Sequence, residues 1–115
     1  MICVMRRLPK RYKRFMADFP EVGRAYEAYG EAVGKAGPLD EKTRCLVKLA
    51  ASISAKLEGG AKSHAHKAIQ AGATPEEVRH VAVLTAPTIG FPGMMAGLSW
   101  VESVLEEEGL IDGQD

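Results

Sequence analysis

Histidine, cysteine and a few cations near the middle of the chain are the side chains with chemical potential. His64 and His66 lie one residue apart, Cys45 stands 19 positions upstream of His64, and Lys62 and Lys67 flank the histidine pair. A neutral imidazole accepts and donates protons near physiological pH, so His64 is a candidate proton shuttle. It follows Gly59-Gly60 closely, and a helix beginning near Ala61 puts it in the first turn. There the unpaired backbone N–H groups and the helix dipole disfavour an imidazolium.

His66 projects roughly 200° around the helix from His64, so the two cannot hold one metal on one face. His-x-His without a third ligand is a weak zinc pattern, and no metal or other cofactor is expected. Cys45 falls on the core-facing side of its own helix, next to Leu46 and four residues before Leu49. It reads either as a small apolar core residue or as a reactive thiol. Lys62, Lys67, Arg44 and Arg79 are candidate cations for a carboxylate ligand, with solvated surface positions as the ordinary alternative.

The elements that must position these groups are helices. Apolar residues recur at steps of three and four from residue 10 to residue 108 and strand signals are almost absent, which predicts an all-α fold. Pro20-Glu21-Val22 opens one helix, carrying Ala25, Tyr26, Tyr29, Ala32 and Val33 on one side and ending between Gly34 and Pro38. Asp40 N-caps the next, a central helix with Leu46, Leu49, Ala50, Ile53 and Leu57 as its core stripe. Gly59-Gly60 is expected to end it through a left-handed residue, and Gly72 marks the end of the helix that follows.

Thr74-Pro75-Glu76-Glu77 combines a cap, a first-turn proline and a glutamate three residues beyond the cap. Pro87 and Pro92 break the chain around Thr88-Ile89-Gly90-Phe91, and a last helix runs from about Gly93 to Glu108, ending at Gly109. Its Gly93, Met94, Met95, Ala96, Gly97 and Ser99 suit close helix packing or a subunit interface.

At 115 residues the chain reads as one domain, 1–115. Fifteen basic residues balance fifteen acidic ones, so no overall field draws nucleic acid or an anionic membrane. The charges are nevertheless polarised, with Arg6, Arg7, Lys10, Arg11, Lys13 and Arg14 at the start and Glu102, Glu106, Glu107, Glu108, Asp112 and Asp115 at the end. Solvated helix faces, or pairing between subunits, account for this. Met1 to Met5 is too short for a signal-peptide core, no stretch is long enough to span a membrane, and Cys3 and Cys45 are too few for a disulfide scaffold. A cytoplasmic protein acting on a small molecule is the expectation.

The run from Leu39 to Thr74 carries a further signal, in Leu39-Asp40, Thr43-Arg44-Cys45, Leu49-Ala50, His64 and Ala71-Gly72-Ala73-Thr74-Pro75-Glu76-Glu77. It resembles the central helical hairpin of the carboxymuconolactone decarboxylase and alkylhydroperoxidase D family, with likeness from about residue 20 to 107. The redox branch of that family reads Glu-x11-Cys-x2-Cys-x3-His, and counted back from His64 those places hold Cys45, Leu57, Gly60 and His64. The CxxC pair is absent, a cysteine stands at the acidic position, and the histidine is retained.

The resemblance implies about six helices around a central hairpin, and homo-oligomers, commonly trimers or hexamers. It also implies His64 as the proton-transfer residue and Cys45 beside it in one pocket. Lys62, His66, Thr88 and Phe91 are then candidates for substrate contact, the last two from the segment matching the family's Gly-x-Pro stretch. Loss of the CxxC pair favours acid–base chemistry of the decarboxylase kind on a small carboxylate or lactone. The alternatives are a one-cysteine hydroperoxide reductase using Cys45, which Cys3 would have to resolve if no outside thiol did, and a helical assembly module without activity.

Overall fold

The computed structural model describes residues 10–113. Cys3, Arg6, Arg7 and Asp115, named above, lie outside the described residues. Among the described residues seven helices follow in order: α1 (Lys10–Asp18), α2 (Pro20–Gly34), α3 (Glu41–Ser54), α4 (Glu58–Gln70), α5 (Pro75–Leu84), α6 (Ala86–Ile89) and α7 (Phe91–Glu107). The all-α expectation holds, and the helix count exceeds it by the single four-residue turn α6.

Two helix starts form as their side chains dictate. The Thr43 N–H donates to Asp40 Oδ1 at 2.8 Å, and at α5 the Glu77 N–H donates to Thr74 Oγ1 at 3.1 Å while the Thr74 N–H donates to Glu77 Oε1 at 2.9 Å. These reciprocal bonds satisfy N–H groups that a helix start otherwise leaves orphaned. Between α6 and α7, Gly90 takes φ 91°, a conformation a side chain would strain, and this lets Phe91 and Pro92 begin α7 two residues earlier than the prolines suggest.

The α3–α4 turn differs from expectation. α3 stops at Ser54, Lys56 adopts the left-handed conformation with φ 61°, and Gly59 and Gly60 fall inside the first turn of α4. The Lys56 N–H donates to Ile53 O at 3.0 Å and the Leu57 N–H to Ser52 O at 2.8 Å, so the helix closes through a Schellman motif one turn before the glycines. Leu57, expected in the core stripe, is therefore off the helix and 55% exposed.

α3 and α4 pack along each other, and α7 lies against α3, α4 and α5. The core is made of Cys45, Leu49 and Ile53 of α3, Ala61, Ala65 and Ala68 of α4, Val78 and Ala82 of α5, and Val101, Val104 and Leu105 of α7. Alanines at steps of four and three let α4 approach its neighbours closely. α1 packs chiefly on α2, no α1 residue is buried, and Gly23 is the one buried residue of α2.

Candidate functional site

A cavity of about 230 Å³ opens where the α1–α2 pair crosses the α3–α4 hairpin. Helical spacing explains its inner wall. Arg44 and Lys48 stand one turn apart on α3 with Cys45 beside them, while Gly60, Ser63, His64 and Lys67 line it from one face of α4. Tyr12 of α1 and Tyr26, Glu27, Gly30 and Gly34 of α2 form the outer wall.

His64 is only partly exposed, and its Nδ1 is buried with no hydrogen-bond partner. Burial, with the charges of Lys67 and then Lys48, pushes its pKa down to about 4 from 6.5, so the ring is neutral at neutral pH. The first-turn placement expected from sequence is corrected here. α4 begins at Glu58, so His64 sits in the second turn, and desolvation and two lysines hold it neutral.

Cys45 is a buried thiol, 2% exposed, and lines the same cavity as His64. Among the described residues no ion pair engages Arg44, Lys48 or Lys67. Arg44 Nη1 donates to the Leu39 carbonyl, which fixes the guanidinium near the end of α2. On the outer wall the Tyr12 hydroxyl donates to Glu27 Oε2 at 3.2 Å. Burial, then the Glu27 charge, raises the Tyr12 pKa and keeps the phenol protonated.

The other sequence candidates lie elsewhere. Lys62 pairs with Glu58 at 3.0 Å and does not line the cavity. His66 reaches the end of α7, with Nε2 3.4 Å from Glu107 Oε1 and Nδ1 3.2 Å from Glu108 Oε1. Thr88 borders a separate, mostly apolar groove between α3 and α5–α6, Phe91 is 65% exposed, and Arg79 pairs with Glu102 at 3.1 Å. Among the described residues no three His, Cys, Asp or Glu side chains gather closely enough to hold a metal ion.

Sequence reasoning missed Lys48, Ser63, Tyr12, Tyr26 and Glu27. Lys48 was within reach of it, since it stands one turn after Arg44 on the face that carries Cys45. The α1 and α2 residues carry no such local signal.

Residues 20–103 match the Carboxymuconolactone decarboxylase family. The chain belongs to that family. Comparison with curated proteins gives no match. The family match starts at the first residue of α2 and spans both walls of the cavity except α1, so Tyr12 comes from outside it. Where the redox branch would carry its two cysteines, this family member has the exposed Leu57 and the cavity-lining Gly60.

Proposed function

We propose that this protein performs acid–base chemistry of the decarboxylase type on a small carboxylate or lactone, with His64 moving the proton. The observation that carries the reading is a neutral, part-buried histidine with an unsatisfied Nδ1 in a cavity that, among the described residues, has three cations, Arg44, Lys48 and Lys67, and one carboxylate. The excess positive charge suits a substrate carboxylate; burial and then the two lysine charges hold His64 neutral, and the arriving carboxylate offsets the lysine part, which favours protonation of the ring. The imidazole then takes a proton from solvent. When the C–C bond to the carboxylate breaks and carbon dioxide leaves, the electron pair stays on the substrate carbon and His64 delivers its proton there. Each turnover consumes one solvent proton and returns His64 to its starting state.

The test is carbon dioxide release from a panel of lactone carboxylates by wild type and His64→Gln. A loss on the order of 10²-fold or more is expected. Unchanged turnover in a natively folded His64→Gln protein would falsify the assignment.

The presence of Cys45 in the same cavity supports a second reading, a one-cysteine hydroperoxide reductase. There the thiolate attacks the peroxide O–O bond, an alcohol leaves, and the resulting sulfenic acid needs an external thiol to return it. A silent assembly module has less support, because charged and hydrogen-bonding side chains, Arg44, Lys48, Ser63, His64 and Lys67, line the inner wall of the cavity. Lys62, His66, Thr88 and Phe91 keep a place in substrate contact only if a second subunit carries them to the cavity.

The family resemblance supports a trimer or hexamer built by helix packing. Exposed Val22, Tyr26, Tyr29 and Val33 on α2 are apolar surface such an assembly would cover. No helix among the described residues is long and apolar enough to cross a membrane, and the cytoplasm is the proposed location.

A further inference from the structure

The two walls of the cavity have opposite hydrogen-bonding character. Arg44, Lys48 and Lys67, on α3 and α4, offer only donors and positive charge. Facing them, Glu27 is the one carboxylate in the lining among the described residues, and the Tyr12 O–H is committed to its Oε2. What that pair has left to offer a ligand is acceptor capacity: the second carboxylate oxygen of Glu27 and the lone pairs of the Tyr12 oxygen. One wall therefore attracts an anionic group, while the other requires a donor and repels a second anion.

We propose that the Tyr12–Glu27 pair is the specificity pole of this cavity, selecting a carboxylate whose far end bears a hydroxyl donor over one whose far end bears a second carboxylate. The assignment rests on the anion-site reading above and names the ligand class for that site. Two further features agree with it. The Tyr12 phenol is protonated at neutral pH and donates to Glu27, so the pair presents acceptors there. The cavity volume of about 230 Å³, below the usual range for drug-sized ligands, suits a ligand of about one ring, and Tyr12 and Tyr26 present aromatic surface to it.

Tyr12 also belongs to α1, which precedes the family match and packs chiefly on α2. The discriminating pole is thus partly built from a segment outside the family match, laid across a wall that the family core supplies.

Three probes of common skeleton test this: benzoate, 4-hydroxybenzoate, whose phenol stays protonated at neutral pH, and terephthalate. Calorimetric titration of the full chain at neutral pH should find 4-hydroxybenzoate bound roughly tenfold more tightly than benzoate. Terephthalate should bind no more tightly than benzoate. In Glu27→Gln the penalty on terephthalate should vanish and the hydroxyl preference should shrink. In Tyr12→Phe the hydroxyl preference should shrink while terephthalate stays disfavoured, because the Glu27 charge remains. Lys67→Met should weaken all three alike. Both outer-wall side chains are polar and accessible enough that these variants should fold, which circular dichroism checks.

Binding of all three probes, lost in Lys67→Met but with no discrimination that Glu27→Gln alters, leaves the anion site standing and overturns this assignment. Tighter binding of terephthalate than of 4-hydroxybenzoate overturns it equally. If wild type binds none of the three, the anion-site reading falls and the specificity pole falls with it.

Discussion

Gly97 of α7 lies directly against Ile53 of α3, so close that a Cβ at position 97 would overlap the isoleucine side chain and stand only 3.1 Å from its Cγ1. Both residues are buried, and the contact sets how near α7 comes to the α3–α4 hairpin that carries the cavity. Gly97→Ala should therefore destabilise the protein by about 1–3 kcal/mol, despite alanine's better helix propensity, because overpacking outweighs the gain. Urea unfolding measures this. Ile53→Ala, which removes both γ-carbons, should cost less in the Gly97→Ala background than alone if the clash is local, and purely additive effects would show that it is not.

Three helices end through the same Schellman geometry, and they differ in the residue asked to take a left-handed conformation. Gly72 and Gly109 do so after α4 and α7, with φ 103° and 71°, whereas Lys56 does so after α3 with φ 61°. A lysine pays a steric cost there that glycine avoids. Lys56→Gly should stabilise the fold by about 0.5–1 kcal/mol, read as a higher unfolding midpoint. Gly59→Ala should add a smaller gain, because Gly59 is helical and nothing lies within 4 Å of a Cβ built on it.

The same turn shows what the sequence discloses. Thr74 with Glu77, and Asp40 before α3, announce their helices because a cap is a local bond between residues three apart. Gly59-Gly60 misleads because it is the strongest left-handed signal nearby, yet Leu49 and Ile53 are already seated and α3 closes a turn sooner. The site divides along the same line. His64, Arg44 and Lys67 were candidates by residue type, Cys45 beside His64 is what the family resemblance implies, and the α1–α2 wall was not legible. Tyr12 and Glu27 meet across 15 residues only because α1 folds back on α2, and no periodicity encodes that pairing.

His64 gives the fold an acid-sensitive component with a definite window. Its folded pKa of about 4 lies below the unfolded value of 6.5, so the unfolded chain takes the proton first as pH falls. The stability His64 contributes is thus complete above pH 6.5, is lost progressively toward pH 4, and declines no further below it. After discounting for the ring's partial contact with solvent, the loss is on the order of 1–2 kcal/mol. Urea denaturation across this range should show a steeper fall for wild type than for His64→Gln. Asp40 and Glu77, held below the usual carboxylate range by their capping N–H partners and Lys42, act at lower pH. Lys67→Met should raise the His64 titration midpoint, visible in its ring-proton resonances.

His66 should separate from His64 in every catalytic assay. Its ring is 16% exposed and engages Glu107 and Glu108, tying α4 to the end of α7. His66→Gln should leave turnover of a His64-dependent substrate within about twofold and cost about 1 kcal/mol of stability or less. A large loss of turnover with unchanged stability would bring His66 back to the cavity, and only a neighbouring subunit could place it there.

Cys45 separates the two chemistries. With no CxxC pair to close a disulfide, peroxide reduction at Cys45 stops at a sulfenic acid unless Cys3 or an added thiol attacks it, and the Cys45 thiol is only 2% exposed. If His64 works in proton transfer and Cys45 is packing at the cavity wall, hydroperoxide consumption with a dithiol reductant should not exceed the reductant blank. Cys45→Ala should then keep lactone turnover while losing about 1 kcal/mol of stability to the smaller side chain. Hydroperoxide turnover that survives His64→Gln weakly and disappears in Cys45→Ser would reverse the order of the two readings. Mass spectrometry after brief peroxide exposure supplies the independent check: selective oxidation of Cys45 ahead of Cys3 belongs to the peroxidase, and equal or absent oxidation belongs to the acid–base enzyme.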